Sequence, residues 1–363
     1  MTEDTATGTD AWYAYSGPED DVVLSTRVRL ARNLANFPFP SHFTADDAER
    51  VQALVFDSFA QSAQSEAYQA LAVKDLDDLG AKILCERGVL EGDAKNAPSA
   101  GIVMRTDGKI ACTVNAKDHV RISAFVPGLA GTAAYDMCHA LDAELQKKLQ
   151  FAASYDFGFL TTAFSDSGSG MKVSVRLHLP SLSFCGQFNE FYKELNEKGV
   201  DISACFGSGL ERGSSLGAYY QVSTKASATG SEFDQMAGLV SAVKYLVESE
   251  RRLRDVVVES RSTEVQNMVY RACVLMKYSL LMPWRESVDS ISRIKWGIDA
   301  GMFSGIDDCD LNALLYRIQE GHLQFVLKNG DFHFPEDIQE NKRLQTEYLR
   351  AHILKETLEK LTS

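Results

Sequence analysis

Residues 20–33 read Asp-Asp-Val-Val-Leu-Ser-Thr-Arg-Val-Arg-Leu-Ala-Arg-Asn, which places three arginines directly after an apolar run and two hydroxyl residues. On an extended segment Arg27 and Arg29 are two residues apart and point to the same face. A guanidinium keeps its charge and presents a rigid fork of donors, so the pair is suited to gripping phosphates. The residues alone leave a second interpretation equally open, a solvated basic edge strand.

The overall composition limits the classes of function. The chain has 363 residues, of which 45% are hydrophobic, which is enough for two domains with cores of their own. Its 37 basic and 50 acidic residues give a net charge of −13, which argues against a nucleic-acid partner. The 7 scattered cysteines contain no C-x-x-C pair and predict reduced packing residues, not a metal site or a disulfide framework.

The hydrophobicity of the chain predicts no membrane association. No apolar run approaches the ~20 residues that cross a bilayer. The first ten residues lack the basic and then apolar order of a signal peptide. We therefore expect a soluble, cytoplasmic protein.

The hydrophobic pattern predicts an α+β fold. Residues 45–71 follow a helical period with Thr44 as the N-cap, and residues 101–114 read as a β-hairpin. Residues 173–179 alternate strictly, as a half-buried strand does, and helical periodicity dominates beyond residue 231. Together these segments indicate an antiparallel sheet flanked by helices.

Three segments carry a family resemblance. The order hydroxyl-hydroxyl-Arg-x-Arg-x-x-Arg in residues 20–33 resembles the ATP-phosphate clamp of the phosphagen (guanidino) kinases. The Leu-Ala-Arg-Asn that ends this stretch and the Phe-Pro-Phe-Pro at 37–40 are similar to the bacterial protein-arginine kinase branch. Residues 318–324, Ile-Gln-Glu-Gly-His-Leu-Gln, resemble a segment that separates this branch from creatine-type enzymes. The chain is thus identified as a member of the branch.

The resemblance implies a fold and a reaction. The family combines a small helical N-terminal domain with a larger domain built on an antiparallel sheet flanked by helices. We assign residues 1–95 to the first part, including the clamp strand at 21–33, and residues 96–363 to the second, with its helical C-terminal region. The reaction implied is transfer of the γ-phosphate of ATP, bound with Mg²⁺, to arginine side chains of proteins.

The same resemblance implies a set of nucleotide-binding residues. Lys172 stands where the family has an arginine, and a lysine keeps the charge but loses the bidentate fork. Arg212 is a candidate substitute for a phosphate-binding arginine that Phe206 replaces. The full set implied for ATP is Ser25, Thr26, Arg27, Arg29, Arg121, Lys172, Ser174 and Arg212.

The sequence departs from the family where the substrate guanidinium would bind. A guanidinium has a pKa of about 12 or more, so carboxylates must orient it and take its proton. The family motif Asn-Glu-Glu-Asp-His-x-Arg reads Asn-Ala-Lys-Asp-His-Val-Arg at 115–121, so Ala116 and Lys117 replace both glutamates. Glu211 aligns with a further glutamate on a mobile loop, and a plain solvated acid is an equally open interpretation. Asp118 is expected to hold its loop by hydrogen bonds, and it is also a candidate substitute acid.

Other departures affect the nucleotide and a regulatory pocket. Gly88 removes a ring that the family places beside the nucleotide. Residues 341–346, Asn-Lys-Arg-Leu-Gln-Thr, lack both arginines of a family motif that binds phosphoarginine, so we expect this pocket to be lost. The nearby Arg350 is expected to be ordinary surface charge.

Two functions remain open. In the first, which we favour, the protein is a weakly active or inactive pseudokinase that regulates a partner in protein quality control. The resemblance implies a Clp-type protease component or a zinc-containing activator as that partner, and a homodimer. In the second, the protein is a working protein-arginine phosphotransferase that uses Glu211 and Asp118 in place of the missing glutamates. Phosphorylation of free arginine is less favoured, because residues 318–324 belong to the protein-substrate branch.

Overall fold

The computed structural model describes residues 11–206, 215–226 and 230–362. Within these ranges one antiparallel sheet of eight strands has the order β2-β3-β4-β5-β1-β8-β10-β9, and β6 and β7 form a separate hairpin. The strands are β1 (Val23–Arg32), β2 (Tyr68–Ala72), β3 (Gly101–Arg105), β4 (Ile110–Val114), β5 (Val120–Pro127), β6 (Ala153–Ser154), β7 (Gly158–Phe159), β8 (Met171–His178), β9 (Val200–Ala204) and β10 (Tyr219–Thr224).

Helices cover one face of the sheet and continue into a helical C-terminal region. One apolar core lies between the sheet and α1, α3, α5 and α6, and a second forms mainly among α7, α8, α9 and α11. None of the described helices combines the length and the apolar character needed to span a bilayer. The helices are α1 (Ala45–Ala60), α2 (Asp78–Glu86), α3 (Gly131–Leu145), α4 (Pro180–Phe184), α5 (Phe188–Glu197), α6 (Glu232–Ser260), α7 (Ser262–Tyr278), α8 (Trp284–Asp299), α9 (Asp308–Arg317), α10 (Glu320–Asn329) and α11 (Lys342–Leu358).

The opening motif forms the central strand β1, which pairs with β5 on one side and β8 on the other. Val28 and Leu30 are 0% and 1% exposed and lie in the core with α3 and α6. Alternation along the strand therefore turns Arg27 and Arg29 to the opposite face. The interpretation of this stretch as a basic edge strand is wrong, because β1 has a partner along both edges.

The third arginine of the motif lies on the core side. Arg32 is fully buried, and its Nε and Nη2 donate to the two carboxylate oxygens of Asp142 on α3 at 3.0 and 2.9 Å. Its guanidinium also lies 3.6 Å from the ring centroid of Phe159. Arg32 therefore anchors β1 to α3 and is not available to a ligand beside Arg27 and Arg29.

The α+β prediction, the hairpin of β3 and β4, and the strand β8 are confirmed. The helix predicted over 45–71 ends at Ala60, although its N-terminus is correct: Thr44 and Asp47 form a reciprocal capping box. Residues 68–72 instead form β2, because pairing with β3 satisfies their backbone groups and outweighs the local helical pattern. The division at residue 95 stays a prediction.

The expectation that Arg350 is surface charge is wrong. This side chain is 1% exposed and donates to the backbone oxygens of Ile318 and Met282, each at 2.9 Å. Its Nη2 also donates to the Glu320 carboxylate at 2.9 Å. Arg350 thus joins α11 to the segments that precede α8 and α10.

Candidate active site

Basic side chains from three adjacent strands share the sheet face that points away from α3 and α6. The antiparallel register arranges them in levels along β1: Arg29 lies opposite Lys172, and Arg27 lies opposite Ser174. Ser25 lies opposite Arg176 at the third level, and successive levels are about 6.6 Å apart. We call this set the cationic face; it comprises Ser25, Arg27, Arg29, Arg121, Lys172, Ser174 and Arg176.

Asp118 is a structural carboxylate at the edge of the cationic face. It is 0% exposed, and its Oδ1 accepts from Asn33 Nδ2 at 3.0 Å and from the Thr162 backbone at 2.8 Å. Its Oδ2 accepts from Arg121 Nε at 2.9 Å. Because both oxygens are bound and shielded from solvent, Asp118 holds the loop and does not reach a substrate.

Glu91, which follows α2, neutralises one end of the cationic face. Its Oε1 accepts from Arg29 Nη1 at 2.8 Å, and both of its oxygens lie within 2.9 Å of Arg121 Nη1. The Glu91 side chain remains 44% exposed, whereas that of Arg121 is 2% exposed. A carboxylate from the protein thus occupies the kind of position that a phosphate oxygen would take between two arginines.

The residues in place of the family glutamates provide no carboxylate. Ala116 packs against the small apolar cluster around α2. Lys117 is 48% exposed, and its Nζ lies 3.8 Å from Asp166 Oδ2. Asp166 is also 3.8 Å from Arg121 Nη2, a buried nitrogen without a hydrogen-bond partner in the described part of the protein. This corner of the site holds a lysine where the substrate guanidinium would need an acid.

The remainder of the cationic face, from Lys172 opposite Arg29 to Arg176, has unbalanced positive charge. Arg27 donates from Nε to Ser174 Oγ at 3.3 Å, and Arg176 donates from Nη1 to Tyr316 Oη at 3.1 Å. Among the described residues no carboxylate lies within 4.0 Å of Arg27, Lys172 or Arg176. Burial lowers the pKa of Arg27, and the charges of Arg29 and Arg176 lower it further. Burial followed by Arg29 likewise lowers the pKa of Lys172, so an anion is favoured here.

The structure brings most of the predicted nucleotide-binding residues together, but it excludes Thr26. The Thr26 hydroxyl donates to Gly128 O at 2.7 Å on the core side of β1, so this residue anchors the loop before α3. Phe206 packs with Tyr219 and Trp284 in the second core and offers nothing to a phosphate. Glu211 and Arg212 lie outside the described residues.

Comparison with known proteins identifies the family. A family model described as ATP:guanido phosphotransferase, C-terminal catalytic domain, matches residues 50–253, and one described as protein-arginine kinase McsB C-terminal domain matches residues 262–363. The chain belongs to the protein-arginine kinase branch of the guanidino kinase family. The protein-arginine kinase of Syntrophomonas wolfei subsp. wolfei is 31% identical over 84% of this chain and 86% of its own length. That of Halothermothrix orenii is 29% identical, with 86% and 89% covered.

Solved structures support the guanidino kinase fold. A crystal structure of lombricine kinase has a TM-score of 0.57 at 18% identity and covers 69% of this chain and 72% of its own. The duplicated taurocyamine kinase of Schistosoma mansoni, with bound transition state analog components, has a TM-score of 0.58 at 20% identity, covering 78% and 41%. At these identities the likeness concerns the fold.

Three residues near the cationic face were not singled out from the sequence: Glu91, Asp166 and Arg176. Glu91 and Asp166 reach Arg121 from segments 30 and 45 residues away in the chain, so no local spacing indicates the contact. Arg176 was detectable, because it continues the alternation of Lys172 and Ser174 along β8. Together these residues change the net charge of the cationic face: Glu91 and Asp166 reduce its positive charge, and Arg176 adds to it.

Proposed function

We propose that this chain is a nucleotide-binding member of the protein-arginine kinase family with weak or absent phosphoryl transfer, which acts as a regulatory partner of another protein. The proposal rests on which carboxylates around the cationic face are missing and which are buried and already hydrogen-bonded. Positions 116 and 117 hold Ala and Lys, and Asp118 is buried with both oxygens bound. The other described acids of the site, Glu91 and Asp166, lie against Arg121. The described part of the site therefore combines cations for phosphates with acids that already face basic side chains of the protein.

The unpaired cations support nucleotide binding. Arg27, Lys172 and Arg176 have no carboxylate partner in the described ranges, and the Ser174 hydroxyl lies among them. Charged hydrogen bonds from such donors are the usual means of holding phosphates. Mg²⁺ would be carried by the phosphates of ATP, since this ion keeps several waters and commonly binds through substrate phosphates.

The acid side supports weak or absent transfer. The ammonium of Lys117 would repel an incoming guanidinium, which is also positively charged. Asp118 is paired with Arg121 and has no exposed oxygen, so the alternative of a working enzyme loses one of its two substitute acids. Loss of a general base typically lowers the rate by ~10²–10⁴. Glu211 stays the remaining candidate for a working enzyme.

Two measurements on the same sample test the proposal. Calorimetry measures the heat of MgATP binding, and transfer of labelled γ-phosphate to an arginine-rich unfolded protein measures activity as acid-labile label. We expect binding with little or no label. The variant Ala116→Glu/Lys117→Glu should gain label, because it restores both carboxylates. Lys244→Glu, an exposed charge change on α6 behind the sheet, should gain none.

Two results would contradict the proposal. Strong transfer by the unchanged protein, abolished by Arg29→Ala, would make it an active protein-arginine kinase. Absence of binding of both MgATP and ADP would leave a scaffold with the kinase fold but no nucleotide function. The partner classes, a Clp-type protease component or a zinc-containing activator, stay predictions, as do a homodimer and a cytoplasmic location.

A further inference from the structure

The charges of the cationic face are divided into a neutralised end and an unbalanced end, which meet where Lys172 lies opposite Arg29. At the first end, Arg29 and Arg121 share Glu91, with contacts of 2.8 to 2.9 Å. Arg121 is further balanced by Asp118 at 2.9 Å. A ligand that binds at this end must displace a carboxylate that already makes short charged hydrogen bonds.

The unbalanced end is limited in extent. Arg27, Lys172 and Arg176 supply its positive charge, and among the described residues no carboxylate offsets them within 4.0 Å. Arg27, Ser174 and Arg176 themselves line a small cavity together with three aromatic side chains, Trp12, Phe125 and Tyr316. Trp12 and Phe125 stack with their ring centroids 5.7 Å apart, so aromatic groups close this end.

We infer that Glu91 determines how many phosphates the site accepts, and that it makes the site selective for a nucleoside diphosphate over a triphosphate. This inference rests on the proposed function, because it assumes that nucleotide phosphates bind on the cationic face. It assigns to Glu91 the role of a specificity-determining residue.

The physical reason is a match of charge. The three unpaired cations balance the charge of a nucleoside diphosphate that carries no metal ion. A third phosphate needs additional cations, and the next ones along β1 and β5 are Arg29 and Arg121. There the phosphate meets the Glu91 carboxylate, and the repulsion between like charges in a partly buried site opposes binding. Glu91 is 44% exposed, so it is able to swing away, but only by giving up its bonds to both arginines.

Calorimetry with ADP and with ATP on the full chain tests the inference. The quantity of interest is the ratio of the two dissociation constants in the unchanged protein, in Glu91→Gln and in Glu91→Ala. We expect the unchanged protein to favour ADP, and both variants to shift the ratio toward ATP by about tenfold or more. Glu259→Gln, which changes an exposed acid in the last turn of α6, is the matched control and should leave the ratio unchanged.

The outcomes separate this inference from the proposed function. If both nucleotides bind and neither Glu91 variant shifts the ratio, the role of Glu91 is refuted while nucleotide binding stands. A loss of ATP affinity in both variants would also refute it, because Glu91 would then assist the third phosphate. If neither nucleotide binds to any variant, the proposed function fails and the inference fails with it.

Discussion

The ion pair between Arg32 and Asp142 gives a quantitative prediction about stability. Both side chains are almost completely buried, at 1% and 2% exposure, and two hydrogen bonds of 3.0 and 2.9 Å join them. Replacing Asp142 with alanine leaves a buried guanidinium whose remaining acceptors among the described residues are the backbone oxygens of Ala31 and Ser169. Removing one partner of a buried pair typically costs about 3–5 kcal/mol, a large part of the roughly 5–15 kcal/mol that stabilises a domain.

Urea-induced unfolding, followed by far-ultraviolet circular dichroism, measures this loss. Asp142→Ala should shift the transition that includes the sheet to lower urea concentration. The double variant Arg32→Met/Asp142→Leu should recover most of the loss, because no unpaired charge remains in the core. Glu194→Ala breaks an exposed pair with Lys198 and should leave the transition almost unchanged. A loss below about 1 kcal/mol for Asp142→Ala, or a double variant as unstable as the single one, would refute the reasoning.

Three further predictions follow from single positions. Thr26→Val should lower stability but leave the heat of MgATP binding unchanged, because the Thr26 hydroxyl donates to Gly128 O on the core side. Arg27→Met should weaken the binding of MgATP by about tenfold or more, and equal effects of the two variants on binding would contradict the assignment of faces. Burial lowers the pKa of His119 to about 4, so between about pH 6.5 and pH 4 this histidine binds a proton in the unfolded protein but not in the folded one. The free energy of unfolding should therefore fall as the pH drops from about 6.5 toward 4, and it should fall less steeply in His119→Gln. Gly17→Ala should lower the melting temperature, because the added Cβ would lie 2.3 Å from Pro127 O. Gly238→Ala should raise the melting temperature slightly, because the space around the added carbon is open. A higher melting temperature for Gly17→Ala than for Gly238→Ala would contradict the packing of the N-terminal segment.

The parts of the fold that the sequence predicts are those whose signal is local. The hairpin of β3 and β4 is bounded by a glycine turn, β8 alternates strictly, and Thr44 caps α1 three residues before Asp47. In each case the residues that define the element are within a few positions of one another. The helix predicted over 45–71 was wrong beyond Ala60, because pairing with β3 determines β2 and no local pattern encodes that partner.

The candidate site shows the same limit. Alternation correctly placed Arg27 and Arg29 on one face, and the family resemblance indicated Lys172 and Ser174. The sequence could not show that Arg32 forms an ion pair with Asp142, 110 residues away, or that Glu91 forms one with Arg29. The sequence shows which residues are charged, but only the tertiary fold shows which of them form ion pairs.

The central position of β1 has a consequence for how the protein is made. Its two neighbours come much later in the chain: the contact from Thr26 to Gly128, directly after β5, spans 102 residues, and that from Arg27 to Ser174 on β8 spans 147. At typical rates of synthesis, β1 waits on the order of ten seconds for its second neighbour. During that time apolar side chains such as Val28 and Leu30 and two open strand edges are exposed to other chains. The central strand of the cationic face is therefore also a segment that is vulnerable to misassembly on the ribosome.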